Sequence, residues 1–326
     1  MRALLTPLSW VYASVIWARN VLYDRAVVAS HASSIPVISV GNVSVGGTGK
    51  TPVSAYLVGL LAKAGHNPAI VMRGYGDDER HLHARLNPAT TVVADRDRVA
   101  GIATAMSMGA DVAVLDDAFQ HRRARRDLDI ILVSADRWTD DARLLPAGPL
   151  REPLSSLTRA GLVIVTQKSA TDSTADRVSQ AVRAIRGVGA PVLVARLTPE
   201  AIVSVVTGDR IPLDSIRGER VLAIAGIGDP ASFFTQLEQL GAIVTKRPFR
   251  DHHPYSDKDA RRLVAESAGH KYVVATEKDI VKLTSLWPAK SAELWYLSQA
   301  VCLTEGTSLV AAALANLFQR ATSISS

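Results

Sequence analysis

The sequence predicts an α/β fold: a parallel sheet with helices on both faces, followed by a second, smaller α/β domain. Two observations predict it. Short apolar runs rich in Val, Ile and Leu alternate with segments of helical periodicity along most of the chain, as buried parallel strands joined by crossover helices do. The first such run ends in a glycine-rich loop that opens directly into a helix, an arrangement suited to holding phosphate.

Taken in order, residues 35–40 (IPVISV) read as a strand ending at Gly41. Residues 52–64 follow as a helix, with Val53, Tyr56, Leu57, Leu60 and Leu61 at helical spacing. Further strands are expected at 69–72, 91–94, 111–115, 130–133 and 162–166, with helical patterns at 98–108 and 175–186 between them. A second set begins after Arg217. It comprises a strand at 221–225, a helix opened by Gly226-Ile-Gly-Asp-Pro230 and running to 240, and elements at 243–246, 258–267, 272–276 and 293–297. Residues 197–215, interrupted by Pro199, Gly208 and Pro212, read as the linker. The expected division is a first domain over 1–216 and a smaller α/β domain over 217–326.

Composition narrows the function classes. The chain has 326 residues, 48% hydrophobic and 21% charged, which excludes disorder and fibrous folds. Its 37 Lys and Arg against 31 Asp and Glu give a net charge of +6, pointing to anionic partners. Those cations are dispersed, with no stacking module or reading helix, so no nucleic-acid partner is expected. Cys302 is the lone cysteine, which excludes an internal disulfide and a cysteine zinc site and suits a reducing compartment.

Residues 3–18 carry no charge and include Leu4, Leu5, Leu8, Trp10, Val11, Val15, Ile16 and Trp17, with Arg2 and Arg19 at the ends. A spanning helix needs about 20 apolar residues, and this uncharged run is 16 with Pro7 near its start, so the N-terminal helix expected over about 3–23 is not expected to cross. Two readings remain: an interfacial helix whose Trp and Leu face sinks into lipid, or a core helix of the first domain. A secretory signal conflicts with the nucleotide site that follows.

The strongest motif is Gly46-Gly-Thr-Gly-Lys-Thr51, directly after a strand and before a helix. That context makes it a phosphate loop of the P-loop NTPase type. Backbone N–H groups of Gly46, Gly47, Thr48 and Gly49 turn around phosphate oxygens, Lys50 reaches the β- and γ-phosphates, and Thr51 ligates Mg²⁺. Ser44 stands where the full pattern begins with Gly. A P-loop enzyme also needs an acid at the end of a neighbouring strand to hold Mg²⁺. Asp116 and Asp117, ending an apolar run, supply it.

Six segments in order resemble the tetraacyldisaccharide 4′-kinase family of lipid A biosynthesis. They are Gly41-Asn-Val-Ser-Val-Gly-Gly-Thr-Gly-Lys-Thr-Pro52, Arg73-Gly-Tyr-Gly76, Asp116-Asp-Ala-Phe-Gln-His121 with Arg125-Arg-Asp127, Leu145-Pro-Ala-Gly-Pro-Leu-Arg-Glu-Pro153, Phe249-Arg-Asp-His-His-Pro254 and Thr276-Glu-Lys-Asp279. The resemblance implies transfer of the γ-phosphate of ATP to the 4′-hydroxyl of a lipid-anchored glucosamine disaccharide 1-phosphate. It also implies a site at the cytoplasmic face of the inner membrane, reached through the N-terminal helix, and no obligate protein partner. By resemblance, Gln120 and His121 neighbour the phosphates. Asp78, in Gly76-Asp-Asp-Glu79, matches the family's proton-accepting carboxylate and His252 its partner; Asp77 occupies the family's Gly position and stays a second candidate for the base. A carboxylate that takes the hydroxyl proton while an imidazole orients it is sound chemistry. The two domains are expected to close over ATP and the sugar.

The segment before the Asp-Asp-Glu is shorter than in typical members, Ala118 replaces the usual Gly, and Met72 replaces a common Ser. Adjacent His252 and His253 with no third ligand do not make a metal site; read alone, their segment is a polar loop. Thr276-Glu-Lys-Asp279 is not a guanine-reading order; it is expected either to dock the second domain or contact the base, and read alone it is a strand end followed by a helix start with Asp279 favourable to the dipole. A competing function, a membrane-associated regulatory ATPase, fits the Gly46-Gly-Thr-Gly-Lys-Thr51 shape, but Val45 stands where its signature lysine belongs.

Overall fold

In a computed structural model the chain is described over residues 5–74, 77–140, 142–187, 189–303 and 307–324. It divides into two compact units. The first comprises 1–75, 83–196 and 303–326, and the second 76–82 and 197–302.

The first unit opens with α1 (Thr6–Asp24), then alternates β1 (Val37–Asn42), α2 (Lys50–Lys63), β2 (Pro68–Met72), the end of α3 (Asp77–Leu86, whose residues 77–82 belong to the second unit), β3 (Thr91–Ala94), α4 (Arg98–Ser107), β4 (Val112–Asp116), β5 (Leu128–Ser134), β6 (Leu162–Gln167) and α5 (Asp172–Arg186). The strand β7 (Val192–Ser204) begins here, and α9 (Thr307–Ile324) closes the unit. The strand order is β7-β6-β5-β1-β4-β2-β3, with the registered pairs parallel. This explains why the strands read as near-continuous apolar runs: every residue of β1, β2, β4 and β6 is buried. Chain order reverses about β1, which puts a ligand crevice at the carboxyl ends of β1 and β4. Register completes the placement, since Val40 of β1 pairs with Asp116 of β4. Gly41 is required because a Cβ there would lie 2.5 Å from Phe119 Cβ. Phe119 itself is fully buried, with Val43, Ile131 and Leu157 in its cluster. Such a side chain contributes about 1.5–3 kcal/mol by burial.

The second unit holds the remainder of β7, then β8 (Arg210–Ile211), β9 (Arg220–Ala225), α6 (Pro230–Gln239), β10 (Ile243–Pro248), α7 (Asp257–Glu266), β11 (Tyr272–Thr276), α8 (Glu277–Leu283) and β12 (Leu294–Leu303). Its strands run in the order β10-β9-β11-β12-β7, with β8 antiparallel to β7. Local chemistry sets the helix starts. Asp229 accepts from the Ser232 amide before α6, and Ser256 and Asp259 form a capping box before α7.

Two expectations about organisation differ from this structure. Residues 197–204 are not linker but the second half of a 13-residue strand, in which Ala201, Ile202, Val203 and Ser204 are buried. Pro199 is accommodated outside the registered stretches with β6 (residues 192–196) and β8 (residues 202–203). The compact units therefore divide after Arg196 rather than after Ile216, because Ile202, Ile211, Leu213 and Ile216 pack with Val221 and Phe233. The C-terminal helix belongs with the first unit, where Phe318 stacks on His66 at 3.6 Å. Helix α1 begins at Thr6; residues 3 and 4 of the expected N-terminal helix, and Tyr75 and Gly76 of the Arg73 motif, lie outside the described residues.

Candidate active site

The predicted site residues fall into two groups, one in each unit. In the first unit the phosphate loop joins β1 to α2, and Gly49 sits at the N-cap of α2 with φ +82°, a left-handed conformation that favours glycine. Gly46 has φ +106°, and a Cβ there would meet the Arg137 guanidinium at 2.9 Å. The loop is held from below. Asn42 Nδ2 donates to Thr48 Oγ1 at 2.9 Å, Thr166 Oγ1 donates to the Thr48 carbonyl at 2.9 Å, and Lys168 Nζ donates to the Gly47 carbonyl at 3.3 Å. The Thr48 amide is itself given to the Gly46 carbonyl at 3.0 Å, so the anion would be met by the remaining loop amides and the first turn of α2. Thr51 is half-buried in the first turn of α2.

The two expected metal-side carboxylates are adjacent but differently placed. Asp116 is buried. Its Oδ1 accepts from Ser54 Oγ and from the Asp117 amide, both at 3.0 Å, and its Oδ2 lies 2.9 Å from His83 Nε2. Burial pushes the Asp116 carboxyl up, but the His83 bond and charge, Lys50 and Ser54 outweigh it and hold the group below its ordinary value. Asp117 is more open. It lies 3.6 Å from Lys50 Nζ, and Arg151 Nη1 donates to both of its oxygens at 3.0 and 3.2 Å. Asp117 has φ +49°. Backbone strain of this kind concentrates at functional sites.

Gln120 Nε2 donates to the Asn42 carbonyl at 2.9 Å, which ties the segment after β4 to the end of β1. His121 is held neutral near pH 7, because burial and the nearby Arg98 lower its pKa; its Nε2 is buried with no hydrogen-bond partner among the described residues.

In the second unit Asp78, in the first turn of α3, is buried beside His252 and Lys282. His252 Nδ1 lies 3.4 Å from Asp78 Oδ2, and Lys282 Nζ lies 2.9 Å from the same oxygen. Lys278 Nζ donates to His252 Nε2 at 3.1 Å and to Glu79 Oε1 at 3.2 Å. Because Lys278 offers only donors, His252 Nε2 is the acceptor and Nδ1–H faces Asp78. Burial pushes the Asp78 carboxyl up, but the bonds from His252 and Lys282 and the charges of Lys282 and Lys278 hold it well below the usual carboxylate range. His252 is raised by its bond to Asp78, against burial and the Lys278 charge. His252 adopts φ +55°, so two of the three non-glycine residues with positive φ among those described are predicted site residues. The side chain of Asp77 lies outside the described residues.

The expected Asp78 and His252 pair is therefore brought together across the sequence, as are Lys50 and Asp117. Sequence reasoning missed four partners. Arg151 lay within a quoted motif without a role, and Lys278 within another. Lys282 follows Lys278 by one helical turn, a signal open to reading. His83, one of two histidines on a largely polar helix, gave none.

The tetraacyldisaccharide-1-P 4′-kinase family model matches residues 1–90 and 76–319 of the chain. The chain belongs to this family. Its relatives named tetraacyldisaccharide 4′-kinase include one from Chlorobaculum parvum, 39% identical over 304 residues and covering 85% of this chain and 82% of that one. Another, from Anaeromyxobacter dehalogenans, is 36% identical over 326 residues, covering 91% and 85%. The crystal structure of LpxK from Aquifex aeolicus, described as an "apo" form in complex with ATP, superposes with a TM-score of 0.75 at 30% identity. It covers 98% of this chain and 99% of that one.

Proposed function

We propose that this chain transfers the γ-phosphoryl group of ATP to the 4′-hydroxyl of a lipid-anchored tetraacyl glucosamine disaccharide 1-phosphate. The observation that carries the reading is a buried Asp78 with His252 Nδ1 3.4 Å from its carboxylate, in a member of this family that also bears the Lys50-Thr51 phosphate loop. The loop amides and Lys50 hold and neutralise the phosphates. Asp78 accepts a hydrogen bond from the acceptor hydroxyl and then its proton, while His252 and Lys282 fix the carboxylate's direction. A carboxylate held so low is a weak base. That suits a loose phosphoryl transfer, in which positioning and charge neutralisation do most of the catalysis and little proton removal is needed before the phosphorus departs.

The donor set suits Mg²⁺. Thr51 and Asp117 offer oxygen ligands, and a P-loop Mg²⁺ takes one or two carboxylates with the rest from phosphates and water. Both carboxylates already accept hydrogen bonds, Asp117 from Arg151 and Asp116 from Ser54 and His83, but Asp116 is buried and Asp117 is the more open, so Asp116 would support the ion from behind. When bound, the ion supplies charge neutralisation at the β- and γ-phosphate oxygens.

A cytoplasmic-face, peripheral location is supported by α1. Its polar side chains dock on the first unit: Tyr12 hydroxyl donates to the Arg151 carbonyl at 2.9 Å, Asn20 Nδ2 donates to Glu152 at 3.0 Å, and Arg19 donates to the Gln120 carbonyl. Leu8, Trp10, Val11, Val15 and Trp17 remain exposed, Trp10 and Trp17 at 68%. No described helix is long and apolar enough to cross a membrane. Such a face suits insertion into the headgroup layer.

The test is transfer of labelled γ-phosphate to tetraacyldisaccharide 1-phosphate in detergent micelles with Mg²⁺. Wild type is expected to label the lipid, and Lys50→Ala to lose at least about a hundredfold in rate. Folded wild type that hydrolyses ATP without labelling lipid would instead favour the regulatory ATPase.

A further inference from the structure

The side chains of Thr276 and Asp279 touch none of the groups assigned to phosphoryl transfer, yet Asp279 accepts three hydrogen bonds. Asp279 is fully buried. Its Oδ2 accepts from the Gly226 amide at 2.8 Å and from Thr276 Oγ1 at 2.6 Å, and its Oδ1 accepts from the Tyr255 hydroxyl at 3.1 Å. Its own amide donates back to Thr276 Oγ1 at 3.2 Å. One carboxylate thus ties three segments distant in sequence: the end of β9, the turn containing Tyr255 and the start of α8. The fit leaves no room for a side chain at 226, where a Cβ would lie 2.9 Å from both Asp279 Oδ1 and the Tyr255 hydroxyl oxygen.

Two of these segments, the turn and α8, lead to groups that contact Asp78 or His252. Tyr255 meets the His253 ring edge-on at 4.9 Å and the Phe249 ring at 5.0 Å, and Phe249 and His253 are 4.7 Å apart. That aromatic cluster braces the turn on which His252 is held at φ +55° with Nδ1 toward Asp78. On α8, Lys278 and Lys282 stand either side of Asp279 and carry their ammonium groups to His252 Nε2 and Asp78 Oδ2.

We propose that Thr276, Asp279 and Tyr255 form a positioning device that sets the His252 turn and the α8 lysines in the register that aims both at Asp78. The proposal rests on the assignment of Asp78 and His252 to the transfer. None of the three is a catalytic residue; they act through the turn and the helix they join.

The test uses the full chain labelled with ¹⁵N-histidine, with the His252 ring signals assigned by their loss in His252→Gln. At a pH above the His252 titration, wild type is expected to show a neutral ring protonated at Nδ1. Tyr255→Phe deletes one hydroxyl and keeps the ring, so it is expected to shift the His252 signals toward exchange between tautomers. It is also expected to lower kcat about tenfold, since small misplacements of reacting groups cost one to two orders of magnitude, with KM for ATP within about twofold of wild type. Thr276→Val is expected to act alike and Thr276→Ser to recover, which guards against a variant that fails to fold. Wild-type His252 signals and kcat in folded Tyr255→Phe and Thr276→Val would overturn the proposal. So would a fall in kcat that tracks a loss of stability while the His252 signals stay unchanged. If the His252 signals move in Tyr255→Phe although wild type never phosphorylates the lipid, the transfer assignment falls and the positioning device stands.

Discussion

Replacing His83 by Leu strips one partner from a buried carboxylate while leaving the carboxylate in place. His83 is fully buried, with Nε2 2.9 Å from Asp116 Oδ2, and the other donors to Asp116 are Ser54 Oγ and the Asp117 amide. One donor of three is lost. A hydrogen bond to a charged group contributes about 1.5–3 kcal/mol, and breaking a buried pair reaches about 3–5 kcal/mol. The two retained donors place the expected loss at about 2–3 kcal/mol. Gln at this position offers an amide N–H in place of Nε2 and is expected to recover about half of it. Urea unfolding of the full chain, at unchanged denaturant slope, reads the difference as a shift in midpoint. The sign with pH follows from Asp116 being held below its ordinary value. Its stabilisation is present in full above the pKa of an unfolded Asp, about 3.9, and is lost as pH falls through the lower folded value. The gap between wild type and His83→Leu is therefore expected in full at pH 7 and narrows below about pH 4. A His83→Leu protein within about 0.5 kcal/mol of wild type at pH 7, the range of an ordinary surface change, would refute the reasoning.

Gly46→Ala places a Cβ against Arg137 at a left-handed φ, at a cost of about 1–2 kcal/mol; calorimetry is expected to show ATP affinity reduced about tenfold in a folded protein. Trp10→Ser with Trp17→Ser removes two exposed indoles from α1. At about 1.5 kcal/mol of lost insertion each, binding to anionic vesicles is expected to fall about a hundredfold, read by sedimentation. Asp78→Asn removes the bond that raises His252, so the His252 titration followed by its ring-proton resonance is expected to move down, and an upward shift contradicts the assigned pairing. In wild type the stabilisation from this raised His252 is complete below the unfolded value, about 6.5, and is lost as pH rises through the folded value.

The first unit was largely legible because its strands are buried on both faces and its crossover helices keep their period. Gly46-Gly-Thr-Gly-Lys-Thr51 announces itself locally, through residue types that only a tight, anion-facing turn requires. The junction was misread because Pro199 and Gly208 look like breakers, whereas the burial of residues 201–204 depends on partners such as Val221 and Phe233 that local pattern does not report. Asp78 and His252 lie far apart in sequence, so composition and periodicity could not pair them; the resemblance to a family did. His83 was invisible for a related reason. Its partner Asp116 is 33 residues away, and nothing in Asp77-Asp-Glu-Arg-His-Leu-His83 distinguishes it from the exposed His81 two residues before.

The claim that tests most directly is the fate of the phosphorus. Product lipid from a reaction of the full chain with ATP, Mg²⁺ and tetraacyldisaccharide 1-phosphate can be analysed by phosphorus–proton correlation NMR. A new phosphorus signal coupled to the proton at carbon 4′ of the distal glucosamine, absent with Lys50→Ala and strongly reduced with Asp78→Asn, is the predicted result. ATP consumed to ADP and inorganic phosphate, with the lipid's phosphorus spectrum unchanged, would contradict the account.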